Sequence, residues 1–343
     1  MVLEPHRHRR IRRSHTVIAG ALGLLVLVGA VIGGFQLLRG RPAPAGAVGV
    51  AGGTSASDPG ASPVSPTPTP VTTTPTPVPS ATRPPAPKVN QPPAPRPPAG
   101  TSAKKGVSTW EFTGVGTALA DVKAAWYWNW SPTPTNGAGS AATFVPMIWG
   151  AGSVTAANLN NAKASGKELL GFNEPDYGSQ SNMTVEQALD FWPQLQATGL
   201  RLGSPAPATN GAKAGEWLDR FITGARARGY RVDFIALHWY GSDFSAAAVG
   251  QLKSYLQAVY DRYHLPIWLT EFALIKFGAT TTFPTAAQQT AFITNSTAML
   301  QALPYLERYA WFALPTSKTG DETGLYRNGT TPTAAGTAYR SAG

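Results

Sequence analysis

The sequence contains no cysteine, which excludes disulfide bonds, zinc–thiolate sites and cysteine nucleophiles. Histidine is scarce as well: beyond residue 106 only His238 and His264 occur, too few for an H-E-x-x-H motif or a three-histidine zinc site. The chain also lacks a G-x-S-x-G nucleophile elbow, a P-loop, and a G-x-G-x-x-G turn after its first strand-like run. These absences leave a mechanism based on Asp or Glu, without a metal or other cofactor, as the remaining kind of catalysis.

The formal net charge of +10 is confined to one end of the chain. Residues 1–105 carry twelve Lys and Arg against Glu4 and Asp58, whereas sixteen basic and sixteen acidic residues balance from Gly106 onward. A balanced domain offers no electrostatic footprint for a phosphate backbone, so we expect no nucleic-acid partner.

The N-terminus predicts a membrane anchor. Residues 1–16 contain a cluster of Arg and His, and residues 17–38 are nearly all apolar. Such a helix would span roughly 33 Å, enough for a bilayer core of about 30 Å. The positive-inside rule keeps residues 1–16 cytoplasmic and sends the C-terminus outside. A cleaved signal peptide is the alternative, although its apolar region usually covers only about 7–15 residues.

Residues 39–105 are predicted to be a disordered linker. Eighteen of the thirty-one prolines fall between residues 41 and 105, and no apolar periodicity survives there. Proline-rich chain favours extended polyproline II, so this segment could hold a domain away from a membrane surface. We therefore expect a cell-surface protein with an extracellular domain, or a secreted one if the anchor is cleaved.

From residue 106 to 343, strand-like and helix-like stretches alternate. The strand-like runs cover residues 106–110, 125–130, 143–149, 168–173, 200–205, 232–240, 266–271 and 309–314. Helix-like stretches include residues 184–198, 214–228, 246–263 and 285–303, and Thr184 with Gln187 predicts a capping box. Eight strand–helix units in one domain predict a (β/α)₈ TIM barrel, with a doubly wound open sheet as the alternative.

Two glutamates end apolar runs that are typical of strands. Glu174 follows the fourth run and precedes Pro175, and Glu271 closes the seventh. Carboxyl groups at the ends of parallel strands would meet across the mouth of a barrel. A facing pair is what cleavage of a glycosidic bond needs: one carboxyl protonates the leaving oxygen, and the other attacks or activates water.

Further site residues are expected near the same rim. Asn173 adjoins one acid and is expected to contact a sugar hydroxyl, while His238 ends an apolar run. Aromatic rings stack on the apolar faces of sugars, and several lie near the predicted strand ends: Trp128, Trp130, Trp149, Tyr177, Trp239, Tyr240 and Trp311.

Four segments together resemble glycoside hydrolase family 128. They are residues 171–176 (GFNEPD), 203–206 (GSPA), 233–240 (DFIALHWY) and 268–273 (WLTEFA). The resemblance covers residues 106–343 and implies a (β/α)₈ endo-β-1,3-glucanase with the acid/base and nucleophile on strands four and seven.

Carried onto this sequence, the resemblance makes Glu174 the acid/base and Glu271 the nucleophile, and puts Asn173, His238 and Tyr240 in the site. The expected substrate is a β-1,3-glucan, cleaved with retention by a monomeric domain. Another β-glycan, a tethered glycan-binding protein without activity, and a transglycosylase remain as alternatives.

Overall fold

A computed structural model of the protein describes residues 102–317 and 322–343. Its core consists of eight parallel strands: β1 (Lys105–Ser108), β2 (Trp126–Trp128), β3 (Thr143–Phe144), β4 (Glu168–Leu169), β5 (Arg201–Leu202), β6 (Ile235–Gly241), β7 (Ile267–Leu274) and β8 (Leu306–Trp311). The helices are α1 (Val115–Asp121), α2 (Ala156–Ser165), α3 (Val185–Gln196), α4 (Trp217–Ala227), α5 (Ala247–Tyr263), α6 (Ala286–Ala302) and α7 (Ala334–Ser341). A short 3₁₀ helix (Ala151–Ser153) precedes α2, and an antiparallel hairpin, β9 (Tyr326–Asn328) and β10 (Thr331–Pro332), precedes α7.

The parallel strands close into a ring. Six of them pair in the order β3-β2-β1-β8-β7-β6, and β4 pairs with β5. The parallel bridges Met147↔Leu170 and Gly203↔Phe234 join β3 to β4 and β5 to β6. The alternation predicted from the sequence therefore gives a closed parallel α/β core of the (β/α)₈ kind rather than an open sheet. One unit is irregular, because residues 129–142 pass from β2 to β3 without a helix.

The predicted helices are present with slightly shorter ends. The capping box predicted at Thr184 is confirmed: its hydroxyl accepts from the Gln187 amide, and the Gln187 side chain accepts from the Thr184 amide. Thr285 and Gln288 form a second box at the start of α6. Each box satisfies two N–H groups that a helix start would otherwise leave without partners.

Apolar side chains occupy two layers on either side of the strands. The barrel interior is filled largely by indole and phenyl rings, among them Trp126, Trp128, Phe234 and Trp268. Residues between them in sequence, such as Tyr127, Ile235 and Leu269, face the helices and join the larger outer core. This period of two is what strand geometry imposes, and it decides which side chains can reach the mouth.

The folded domain begins before the predicted boundary at residue 106. The Lys104 ammonium donates to the carbonyls of Gln301 and Leu303, at 3.0 and 2.8 Å, at the end of α6. The buried Lys105 ammonium donates to the carbonyl of Ala342 at 2.6 Å, just after α7. The sequence analysis placed these residues at the end of the linker, but they close the base of the barrel.

No helix within residues 102–317 and 322–343 is both long and apolar enough to cross a membrane. The predicted anchor (residues 17–38) and most of the predicted linker lie outside the described residues.

Candidate active site

Glu174 leaves the fourth strand at a sharp turn. The isolated bridge Asn173↔Ala206 is the last pairing of this strand, and the Glu174 amide donates to the Ala206 carbonyl at 2.8 Å. Glu174 itself has a φ of 42°, a left-handed conformation that side chains other than Gly rarely adopt. Such strain costs roughly 1–3 kcal/mol and is found mostly at functional sites. It directs the Glu174 side chain, 14% exposed, to the mouth of the barrel.

Glu271 lies within β7 rather than at its end, so the prediction that the strand stops at this residue is wrong. Trp268 faces the barrel interior and Leu269 faces the helices. If side chains alternated strictly along β7, Glu271 would face the helices, as Leu269 does. The pairing with β6 shifts register between Leu237 and His238, so that Leu237 pairs with Leu269 but His238 pairs with Glu271. This bulge adds a residue, Thr270, and brings Glu271 back into the mouth.

His238 lies between the two carboxylates. Its Nδ1 is 2.8 Å from Glu174 Oε1, and its Nε2 is 3.5 Å from Glu271 Oε1. The ring is fully buried. One ligating atom from each of the three side chains lies within 4.8 Å of the other two. Two acids and one base therefore share one small volume.

Two donors hold the Glu271 carboxylate. Trp130 Nε1 donates to Oε1 at 3.0 Å, and the Tyr240 hydroxyl donates to Oε2. Burial raises the pKa of Glu271 to about 6, with the charge of His238 and these two hydrogen bonds acting against it and the Glu174 charge adding to it. Burial, together with the negative charge of Glu271, also raises the pKa of Tyr240 well above its ordinary value.

The negative charges of the site oppose the effect of burial on the pKa of His238. Burial alone would lower the pKa of His238, but the charge of Glu271 and the hydrogen bond with Glu174 outweigh burial and raise it. Asp176, in the loop after β4, adds to the same effect. Its carboxylate accepts from the amides of Ala208 and Thr209, at 2.7 and 3.1 Å, and so joins two loops of the rim.

Asn173, Trp149 and Tyr177 lie around Glu174. Asn173 is buried, its amide nitrogen donates to Gln180 Oε1 at 3.2 Å, and its side-chain oxygen has no hydrogen-bond partner among the described residues. Trp149 is half-buried, and its carbonyl accepts from the Asn173 amide at 2.9 Å. The half-buried Tyr177 closes the turn that begins at Glu174.

Three aromatic residues predicted to bind sugar are placed elsewhere by the structure. Trp128 is fully buried beneath Trp130, and its indole N–H donates to the Thr270 carbonyl at 3.0 Å. Trp311 is fully buried in the outer core, with its N–H on the Thr323 carbonyl at 2.7 Å. Trp239 is half-buried against the outer core, because it alternates with the inward-facing His238 and Tyr240. These rings support the site but have no free face in it.

Other aromatic rings at the rim were missed. Phe277 follows β7, packs edge-on against Tyr240 at 5.4 Å, and is the most exposed large apolar side chain in the described part of the chain, at 36%. Phe312 follows β8 and contacts both Tyr240 and Trp130, at 5.7 and 6.0 Å. Trp110, after β1, lies 6.5 Å from Phe312. The sequence offered no signal that would have placed Phe277 at the rim.

Within residues 102–317 and 322–343, the only acidic and histidine side chains grouped closely enough to ligate a metal ion are Glu174, His238 and Glu271. Their arrangement suits proton transfer and nucleophilic attack directly, since each carboxylate already has a donor or proton partner within the site.

Comparisons with known proteins point to glycoside hydrolases. Residues 111–339 match the family model described as the glycosyl hydrolase catalytic core. A crystal structure of a family 128, subgroup I endo-β-1,3-glucanase from Amycolatopsis mediterranei is 60% identical, with a TM-score of 0.68. The match covers 71% of this chain and 100% of that one.

The chain belongs to glycoside hydrolase family 128.

Two less similar proteins extend the comparison. A subgroup II endo-β-1,3-glucanase from Sorangium cellulosum is 27% identical with a TM-score of 0.60, over 70% of this chain and 98% of that one. Alkali-sensitive linkage protein 1 of Schizosaccharomyces pombe is 32% identical over 206 residues, which are 58% of this chain. The match spans only 36% of that protein's length.

The Amycolatopsis relative of family 128 was crystallised with laminaritriose and laminaribiose, and with laminarihexaose, as variants of two different glutamates. Those glutamates are separated in their chain by the same number of residues that separate Glu174 from Glu271.

Proposed function

We propose that the domain hydrolyses internal β-1,3-glucosidic bonds with retention of configuration. The observation that carries the proposal is the closeness of the two carboxylates, which have oxygens within 4.8 Å of each other. Retaining glycosidases hold their carboxyl groups about 5–5.5 Å apart, whereas inverting enzymes need roughly 6.5–9.5 Å to admit a water. The substrate class follows from the 60% identical endo-β-1,3-glucanase of the same family.

In this proposal Glu271 is the nucleophile and Glu174 the acid/base. Glu271 is the more buried of the two and has two donors, which fix its carboxylate and favour its ionised form. Glu174 is the more exposed and has no side-chain donor other than His238 among the described residues, so it is free to take and release a proton. The equal spacing of the two glutamates altered in the Amycolatopsis crystals supports the same pair.

The reaction would proceed in two displacements. Glu271 attacks the anomeric carbon while the glycosidic bond breaks, and Glu174 gives its proton to the departing oxygen. The product is a glycosyl ester on Glu271 and a carboxylate at Glu174. Glu174 then takes a proton from a water that attacks the same carbon, which breaks the ester and restores both glutamates.

Sugar binding is proposed for the residues that have a surface in the mouth. Asn173 offers a buried oxygen without a partner among the described residues, suited to a sugar hydroxyl. Trp130, Trp149, Tyr177 and Tyr240 are half-buried near the carboxylates. Phe277, exposed beside Tyr240, joins this set.

A substrate panel tests the proposal: laminarin, curdlan, mixed-linkage glucan, mannan and cellulose, read by product profile. We expect oligosaccharides from laminarin and curdlan, and little release from mannan and cellulose. Products longer than a defined laminarihexaose substrate would identify a transglycosylase. Binding of laminarin without any product would instead indicate a glycan-binding protein and contradict the proposed hydrolysis.

We also propose that residues 17–38 anchor the protein in a membrane, that residues 39–105 act as a spacer, and that the monomeric catalytic domain lies outside the cell. The support is the sequence pattern alone: a basic segment, an apolar segment and a proline-rich segment in that order. Protease added to intact cells should release the domain. A domain that stays intact on whole cells but is cut after lysis would contradict this topology.

A further inference from the structure

The hydrogen bond between His238 and Glu174 must contain a proton. Nδ1 and Oε1 are 2.8 Å apart, the His238 ring is fully buried, and neither atom has another hydrogen-bond partner among the described residues. A bare nitrogen lone pair facing a bare carboxylate oxygen at that distance would be repulsive. Either Glu174 carries the proton or Nδ1 does.

Glu271 decides which ring nitrogen carries the other proton. Nε2 is 3.5 Å from Glu271 Oε1 and has no hydrogen-bond partner among the described residues. A lone pair on Nε2 would face a carboxylate, whereas an N–H would be attracted to it. The Nε2–H form is therefore favoured, which leaves Nδ1 as the atom that shares a proton with Glu174.

We infer that His238 stores the proton that Glu174 delivers to the leaving sugar. This rests on the proposed function, because it assigns a partner to the general acid of that reaction. The proton lies in the bond between Nδ1 and Oε1, and Nε2–H is held by the negative charge of Glu271. His238 is a positioning residue in this scheme, since it acts through Glu174 and not on the sugar.

The proton balance closes without an additional donor. In the first displacement the shared proton moves through Glu174 to the glycosidic oxygen as the C–O bond breaks and Glu271 forms its ester. In the second, Glu174 takes one proton from the attacking water, the ester bond breaks, and the proton is again shared with Nδ1. The charge that leaves Glu271 in the first step appears on Glu174, and His238 adjoins both.

The groups that face His238 favour proton storage. Glu174 contacts the ring from the end of the fourth strand, Glu271 lies beside it from β7, and Asp176, in the loop after β4, acts on it through its charge alone. The Tyr240 hydroxyl, on the same strand as His238, donates to Glu271. β2 contributes only the uncharged ring of Trp128, at 6.2 Å. Three acids around one imidazole hold a proton in the site at pH values where a histidine in water would release it.

The test compares the pH profiles of kcat/KM for the full-length protein and His238→Gln on two substrates. Laminarihexaose needs the acid, whereas 2,4-dinitrophenyl β-laminaribioside has a leaving group that departs without one. We expect His238→Gln to move the alkaline limb for laminarihexaose to lower pH by about one unit or more, which is a loss of about tenfold near pH 7.5, where the dinitrophenyl substrate should lose less than about threefold. Because the charge of His238 also lowers the pKa of Glu271, its removal should move the acidic limb to higher pH on both substrates.

Tyr240→Phe is the matched control within the site. It removes a hydrogen bond that favours ionised Glu271, so its acidic limb should move to higher pH while its alkaline limb stays in place. An alkaline limb that His238→Gln leaves unmoved, or equal losses on both substrates near pH 7.5, would overturn the inference.

A measurement on the wild-type protein covers the case in which His238→Gln folds poorly. The ¹⁵N-histidine spectrum of the full-length protein, titrated with pH, should show one ring that keeps Nε2–H and loses the proton on Nδ1 at the midpoint of the kinetic alkaline limb. A midpoint well away from that limb would refute proton storage. If laminarihexaose is not cleaved at any pH, the proposed function fails as a whole, and cleavage with an unmoved limb refutes the inference alone.

Discussion

The two ends of the barrel use charge in opposite ways. At the base, Arg201 and Glu307 form a bidentate ion pair with N–O distances of 2.7 and 2.9 Å, and Trp268 Nε1 donates to the same carboxylate at 2.9 Å. Arg308 pairs with Glu168 at 3.2 Å and lies over the Trp268 ring at 4.1 Å. Two cations and two anions balance, and both acids have cationic partners.

At the mouth, two carboxylates face each other with one histidine between them. The consequence appears in the pKa values of the buried acids. Burial acts to raise the pKa of Glu307, but its hydrogen bonds from Arg201 and Trp268 outweigh burial and lower it. Burial raises the pKa of Glu271 to about 6, and its partners only limit the rise. The base is arranged for stability, and the mouth for a reaction that needs one protonated and one ionised acid.

Glu to Gln substitutions at the two ends should separate activity from stability. Glu174→Gln keeps the shape of the side chain but removes the proton donor, so hydrolysis of laminarin should fall by about 10²–10⁴-fold while Tm changes little. Glu307→Gln, the matched control at the base, should lower Tm and leave kcat of the folded protein near that of the wild type. Near-normal turnover by a folded Glu174→Gln protein would remove Glu174 from the mechanism.

Removing one of the paired charges at the base should lower the free energy of unfolding substantially and leave catalysis unchanged. Arg308→Met leaves Glu168 without its cation and removes the contact with Trp268, so the free energy of unfolding in urea should fall by about 3 kcal/mol. The exposed Arg228, which bonds only to its own helix, is the control: Arg228→Met should change stability by less than about 0.5 kcal/mol. Equal effects from both substitutions would contradict the assignment of the base as the stabilising end.

Removing the charge of Glu271 at the mouth should stabilise the protein at neutral pH. The pKa of Glu271 is raised from 4.5 to about 6, so the fold favours the protonated form. That contribution is complete below pH 4.5 and is lost as the pH rises through 6. Glu271→Gln has no such loss, and at pH 7.5 it should be more stable than the wild type by about 2 kcal/mol, with little difference at pH 4. Urea unfolding at both pH values measures this, and a variant less stable at pH 7.5 would contradict the pKa shift.

The smallest effect is expected at the N-terminal edge of the base. Lys104 holds the last carbonyls of α6, and Lys104→Met should lower the free energy of unfolding by about 1 kcal/mol. Lys163→Met, at an exposed position in the last turn of α2, is the control. Equal melting temperatures for the two variants would mean that the domain boundary at residue 106 was placed correctly.

The barrel was predictable because its signal is local and repeated. Apolar runs and helical stretches alternate along the chain, and capping residues such as Thr184 mark where helices begin. The two glutamates followed from the same pattern. The alternation of side chains along β6 could also have excluded Trp239 from the sugar-binding site, since a residue between His238 and Tyr240 must face the other side of the sheet.

The remaining features depend on contacts that sequence does not carry. The bulge at Thr270 arises from register with β6, and without it Glu271 would face the helices. Trp128 is buried because Trp130 turns back over it at a φ of 59°. Phe277 and Phe312 reach Tyr240 through loops whose paths are fixed only by the folded barrel. Lys104 and Lys105 were placed in the linker because their carbonyl partners lie about two hundred residues or more away in sequence.

The anomeric configuration of the first product tests the central claim most directly. If Glu174 and Glu271 are close enough to exclude water behind the sugar, Glu271 must attack the anomeric carbon itself, and two displacements restore the original configuration. Proton NMR of laminarihexaose during the first minutes of hydrolysis, before mutarotation, should show a growing β-anomer signal at the new reducing end. An α-anomer signal that appears first would contradict the covalent mechanism and the role of Glu271 as nucleophile.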